Sequence, residues 1–119
     1  LANAGLGAVH GLAGVIGGLT GAPHGAICGR LLPPVLAANR AALPDDGRLA
    51  WVAERIDGAF PEGLTAWIDA MGLPRLSAMG VSPDLHPRIA RDAANASSMQ
   101  ANPVKLSDDV LRSILAAAA

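Results

Sequence analysis

Tyrosine is absent, phenylalanine occurs once, and the two tryptophans complete the aromatic complement. Surfaces on which nucleobases stack are therefore scarce. Nine basic and ten acidic side chains leave a net charge of −1, and no basic run occurs anywhere along the chain. A protein that grips a phosphate backbone needs a basic stripe to displace counterions, so nucleic acid is excluded as the expected partner. The single cysteine, Cys28, forbids an internal disulfide and fits a reducing, cytoplasmic setting. β-Branched residues are few and no strand-like alternation of polar and apolar positions is found. Ala and Leu, both strong helix formers, dominate instead, and the expected fold class is all-α.

Charge is also missing from one long stretch. Residues 1–29 contain no Asp, Glu, Lys or Arg, a length that nominally suits a membrane span. The same stretch holds nine glycines, Asn3, Pro23 and two histidines, and Gly17-Gly18 with Gly21 interrupt it near its middle. No basic cluster precedes it, so it is not a secretory signal. A pair of buried, glycine-rich helices accounts for these residues better than a membrane-associated hairpin, and no membrane partner is expected. The chain does not begin with Met, and an apolar helical pattern is already running at Leu1. The 119 residues suit one domain, expected to be a piece of a longer protein.

The apolar spacing divides the chain into about six helices packed as a small bundle. Residues 1–16 read as a helix closed by Gly17-Gly18. Residues 24–32 read as a second, which Pro33-Pro34 should kink or end before helical residues 35–43. Pro44-Asp45-Asp46-Gly47 is a turn with capping aspartates. Leu49, Val52, Ala53 and Ile56 form the stripe of a third helix, closed by Asp57-Gly58. Leu64, Trp67, Ile68 and Met71 form that of a fourth. Ser82 and Pro83 start a helix running to about Ala96. Ser107, followed by Asp108 and Asp109, starts the last.

The residues best suited to chemistry are His10 and His24, each followed by glycine in Val9-His10-Gly11 and Pro23-His24-Gly25. An apolar setting favours neutral imidazole, the form that binds metal. Two core histidines bonded to carbonyls would give the same pattern. A catalytic zinc or iron site takes three or more protein ligands, usually with a carboxylate, and no carboxylate precedes Asp45. Cys28, four residues after His24, reads as a thiolate donor or, more simply, as a small buried hydrophobe. His86 reads as a solvated residue at a polar helix start, and Trp51 and Trp67 read as helix-packing residues. Arg30, the first charge in the chain, reads as a partner for a carboxylate of a neighbouring domain or for a phosphate.

Read in order, Asn3-Ala4-Gly5-Leu6-Gly7-Ala8-Val9-His10-Gly11-Leu12-Ala13, Gly17-Gly18, Ala22-Pro23-His24-Gly25 and Leu31-Leu32-Pro33 resemble a signature of the iron-containing (group III) alcohol dehydrogenases. The tail Ala96-Ser97-Ser98-Met99-Gln100-Ala101-Asn102-Pro103 resembles that family's C-terminal region. The resemblance implies the dehydroquinate-synthase-like helical domain, residues 1–119, following an N-terminal nucleotide-binding domain that would be its partner. It implies a divalent metal, Fe2+ or Zn2+, held by His10 and His24 together with an Asp and a His from upstream. It further implies hydride transfer between an alcohol and NAD or NADP, the nicotinamide being held mainly by the missing domain, in a homo-oligomer acting on small alcohol or carbonyl substrates. On that reading the chain alone is inactive and assigns no catalytic residue of its own. Many relatives carry a further His four residues after the first ligand, where this chain has Gly14, and that departure opens two enzymatic alternatives, a maleylacetate reductase and a polyol dehydrogenase. A non-catalytic helical interaction module is the alternative from another class.

Overall fold

A computed structural model describes residues 6–119. These residues form six α-helices and three short 3-10 turns, with no strand among them. The helices are α1 (Gly7–Thr20), α2 (His24–Ala42), α3 (Gly47–Ala59), α4 (Leu64–Ala70), α5 (His86–Ala94) and α6 (Asp108–Ala118). The expected all-α bundle is therefore observed. The expected start of the first helix, residues 1–5, lies outside the described residues.

The core is aliphatic. Ala8, Val9, Leu12, Ala13 and Ile16 of α1 meet Ile27, Leu31 and Val35 of α2, Ile89, Ala90 and Ala93 of α5, and Leu111, Ile114 and Leu115 of α6. Each set repeats every three to four residues, so each helix buries one stripe. α1 is therefore not apolar-faced to the outside all round. Its exposed line is His10, Gly14, Gly18 and Leu19, while Val9, Leu12 and Ile16 are covered from within the chain. The large apolar side chains left exposed are Leu19, Trp51, Trp67 and Met71. Of the expected α4 stripe only Ile68 is buried, so the two tryptophans are not core residues. Trp67 instead lies against Phe60, with ring centroids 5.0 Å apart, and Arg55 sits 4.9 Å above the Trp51 ring.

Several helix boundaries move from where sequence places them. Gly17-Gly18 does not end α1, which runs to Thr20 and stops at Gly21, whose φ of 70° is the left-handed cap that glycine adopts without strain. Pro33-Pro34 does not end α2, although each proline removes one helical N–H. Leu31 and Val35 on either side of the prolines are fully buried, and that packing carries the helix through. Asp57-Gly58 lies inside α3, which continues to Ala59. Of the expected starts, Ser82 makes no capping hydrogen bond and leads into a 3-10 turn over Pro83–Leu85, so α5 begins only at His86 and ends at Ala94. The other two caps fall where expected. The Asp46 carboxylate accepts the N–H groups of Arg48 and Leu49 at 3.0 Å, and the Ser107 hydroxyl accepts that of Val110 at 3.2 Å.

Two polar ties hold the helices in place. The first closes the start of α1. Leu6 precedes the helix without a capping side chain, so the first N–H groups need a partner from elsewhere. Asn102 provides it, with its Oδ1 accepting the Ala8 N–H at 3.2 Å. The same amide pairs with buried Asn39 of α2: Asn102 Nδ2 donates to Asn39 Oδ1 at 2.8 Å, and Asn39 Nδ2 donates back at 3.1 Å. Asn102 Nδ2 also donates to the Val104 carbonyl at 2.7 Å.

The second tie is Arg30. It is buried, and it pairs within the chain rather than with another domain. Its Nη1 meets Asp69 Oδ1 at 2.7 Å, its Nε donates to the Pro74 carbonyl at 3.2 Å, and its Nη2 donates to the Leu73 carbonyl. Arg75 takes the other Asp69 oxygen at 2.9 Å. The hydrogen bond from Arg30, reinforced by Arg75, holds the Asp69 carboxyl below its ordinary range.

The first tie demands a glycine. A Cβ on Gly7 would stand 2.2 Å from the backbone nitrogen of Asn102, whereas a Cβ on Gly14 would meet nothing within 4 Å. Gly7→Ala should destabilise the fold by about 2 kcal/mol or more, the cost of overpacking against backbone. Gly14→Ala should be neutral or stabilising by up to about 1 kcal/mol, the gain of alanine over glycine in a helix. Chemical denaturation of the two variants checks this, and equal stabilities would show that the α1–Asn102 contact does not form.

Candidate metal centre

The site is assembled by the return of the chain from α1 to α2. His10 lies in the first turn of α1, and ten residues of helix carry the chain about 15 Å onward to Thr20. Gly21, Ala22 and Pro23 then bring it back along α1, Pro23 being extended at φ −60° and ψ 130°. The turn is fastened locally: the Thr20 hydroxyl donates to the Ile16 carbonyl at 2.8 Å and accepts the Ala22 N–H at 3.1 Å. As a result His24, the first residue of α2, stands beside His10. Their rings are stacked, with centroids 5.9 Å apart and planes inclined by 13°.

Cys28 joins them. It follows His24 by one turn of α2, and its Sγ lies 3.3 Å from His24 Nε2. One ligand atom from each of His10, His24 and Cys28 falls within 4.8 Å of the others. Cys28 is half-buried and packs against the core, as a small hydrophobe would, and its partial burial pushes the thiol pKa up.

Both histidines are exposed, which differs from the enclosed apolar setting expected of a charge-free segment. The enclosing side chains are missing because the neighbours are glycines. Cβ atoms built on Gly14, Gly18, Gly21 or Gly25 would meet nothing within 4 Å. The pair therefore looks out over a low, open surface formed by α1, the return loop and the start of α2. The donor set suits a divalent ion of intermediate softness, two imidazoles and one sulfur, with no carboxylate in the cluster. Two or three donors leave room in the coordination sphere for ligands from another source.

His86 is the reverse case. It was expected in solvent, but it is buried at the start of α5, and its Nε2 has no hydrogen-bond partner among the described residues. Ile89, Ala90 and Ala93 on the same helix turn that face inward, and His86 goes with them at position i−3. Charged neighbours in the sequence therefore misreport its environment. No helix of the described residues is long and apolar enough to cross a membrane.

The contrast in exposure has a direct chemical readout. Acylation with diethyl pyrocarbonate should modify His10 and His24 rapidly and His86 slowly in the folded protein, with peptide mass spectrometry locating the adducts. Equal rates at all three positions would contradict the placement of these rings.

The sequence profile of the Fe-containing alcohol dehydrogenase family, C-terminal, matches residues 1–119. No curated protein and no solved structure gives a significant match.

Proposed function

Because the chain belongs to the Fe-containing alcohol dehydrogenase family, as its C-terminal part, we propose that it supplies the helical half of a divalent-metal site in an NAD(P)-dependent alcohol dehydrogenase. The observation that carries this reading is the stacked, exposed pair of His10 and His24, brought from opposite ends of a charge-free segment to 5.9 Å. Neither ring belongs to the buried core of α1 and α2. A divalent ion held there supplies Lewis acidity toward an alcohol or carbonyl oxygen.

The remaining roles follow from the chain's own residues. His10 and His24 donate imidazole nitrogens from two different helices. Fixing those helices relative to one another, through Asn102 with Asn39 and through Arg30 with Asp69, fixes the spacing of the donors. The bare surface at Gly14, Gly18, Gly21 and Gly25 lets a substrate, a nicotinamide and a second domain approach the pair without steric conflict. Gly14 puts no acid or base one turn beyond His10, so a proton leaving the substrate must travel by a route outside this turn. The described residues form no strand–loop–helix unit that could cradle a pyrophosphate, which supports a role for an N-terminal domain in holding the nucleotide. That domain would also bring the remaining ligands. A maleylacetate reductase or a polyol dehydrogenase would use the same half-site, and the substrate distinguishes them. The exposed Trp51, Trp67 and Met71 on and beside α3 and α4 support association into a homo-oligomer.

The test joins this chain to a family N-terminal nucleotide-binding domain and measures bound metal by mass spectrometry alongside NAD(P)H formation from a panel of alcohols. We expect stoichiometric metal and activity in the joined protein and no activity from the chain alone. His10→Ala and His24→Ala should each lower metal affinity by at least about 100-fold, beyond the loss usual for residues outside the coordination shell. Metal and activity retained in the double variant would refute the assignment.

A further inference from the structure

Resting on the reading of His10 and His24 as a metal half-site, the geometry points to Cys28 as a third metal ligand from this chain, giving a two-histidine, one-cysteine donor set that favours zinc or cobalt over iron. Three observations support it. The Sγ lies 3.3 Å from His24 Nε2, close to the separation of about 3.5 Å expected of an imidazole nitrogen and a thiolate bound to one tetrahedral zinc. The three donor atoms lie within 4.8 Å of one another, a span that one ion bridges with small side-chain adjustments. The i, i+4 relation on α2 holds Sγ and the His24 ring on one helix face, so the pairing is intrinsic to the helix and independent of any further domain.

Other roles fit Cys28 less well. Cys28 packs against the core on one side, but unlike the fully buried Ile27 and Leu31 on the same helix it is only half-buried, and its sulfur lies beside the exposed histidines. A disulfide has no second cysteine to form with. Sulfur adds a soft ligand to an otherwise imidazole set, and soft donors select thiophilic ions. A third in-chain ligand also changes what this chain does alone. Two imidazoles make a weak site, whereas two imidazoles and a thiolate would hold an ion more firmly and leave the rest of its coordination sphere to be filled from outside, by groups of another domain, water or substrate.

The experiment is a titration of the 119-residue chain with Co2+, anaerobic and under reducing conditions, followed by absorption. Cobalt–thiolate bonds give a ligand-to-metal charge-transfer band in the near ultraviolet, and tetrahedral coordination gives visible d–d bands. We expect both, with the charge-transfer band absent in Cys28→Ser and in the His10→Ala/His24→Ala double variant. Cobalt affinity in Cys28→Ser should fall by at least about 10-fold. In parallel, Zn2+ should slow alkylation of Cys28 by iodoacetamide in the wild type and not in the double variant, with circular dichroism confirming that each variant is folded. Visible bands that depend on both histidines without a charge-transfer band would overturn the role of Cys28 and leave the histidine pair standing. A charge-transfer band that survives loss of both histidines would overturn it as adventitious thiol binding. Absence of any binding would overturn the three-donor set and make the site wholly dependent on ligands from elsewhere.

Discussion

The side-chain amide of Asn102 is the constraint on which the rest of the molecule depends. It caps the open start of α1 through the Ala8 N–H, it pairs twice with Asn39 in the middle of the fold, and it holds its own segment through the Val104 carbonyl. Losing a partner of a buried polar group costs about 1–3 kcal/mol, and this one amide takes part in four part-buried hydrogen bonds. The tie spans nearly the full described chain, joining residue 8 to residue 102. It also lies two residues from His10. The polar segment between α5 and α6 is therefore a structural brace for the turn that carries His10, and Gly7 is small because the Asn102 backbone passes where a side chain would stand.

Arg30 performs the equivalent task for α2. Its guanidinium is buried, yet every nitrogen finds an oxygen, from the Asp69 carboxylate and the carbonyls of Leu73 and Pro74. Removing it would deprive the Leu73 and Pro74 carbonyls of their donor and leave Asp69 with Arg75 alone, which makes the residue costly to lose even though a buried ion pair adds little net stability. Because Arg30 follows Cys28 by two residues and His24 by six, this anchor sets the depth and rotation of the helix that presents both. α1 is fixed by Asn102 and α2 by both ties, so the donors sit on two elements that cannot drift independently. Preorganisation of that kind is what the proposed metal site would need, since both rings are exposed.

Much of this was legible in the residues. The helical class follows from Ala and Leu with little β-branching, and the caps at Asp46 and Ser107 fall where short polar side chains precede apolar periodicity. His10 and His24 stand out because they are the histidines of a charge-free stretch. Other features depend on contacts that no local pattern carries. The persistence of α2 through Pro33-Pro34 is decided by the burial of Leu31 and Val35, a tertiary effect that overrides local preference. Gly17-Gly18 reads as a break, but the left-handed Gly21 with the Thr20 hydroxyl supplies the stop instead. His86 follows an apolar stripe whose other members lie three to seven residues ahead, so its polar neighbours mislead. Arg30 finds its carboxylate 39 residues away, and the approach of Cys28 to both histidines depends on the return of Gly21–Pro23 along α1. The i, i+4 spacing of His24 and Cys28 was the available signal for that approach, and it was outweighed by the frequency with which cysteine fills cores.

The central claim is that His10 and His24 converge on one divalent ion. Anomalous diffraction from zinc-loaded crystals of this chain, alone or joined to a nucleotide-binding domain, tests it most directly. The account predicts a single strong anomalous peak about 2.0–2.1 Å from one nitrogen of each of these two imidazoles. Zinc bound elsewhere with that pair bare, or bound to one ring while the other turns away, would contradict it.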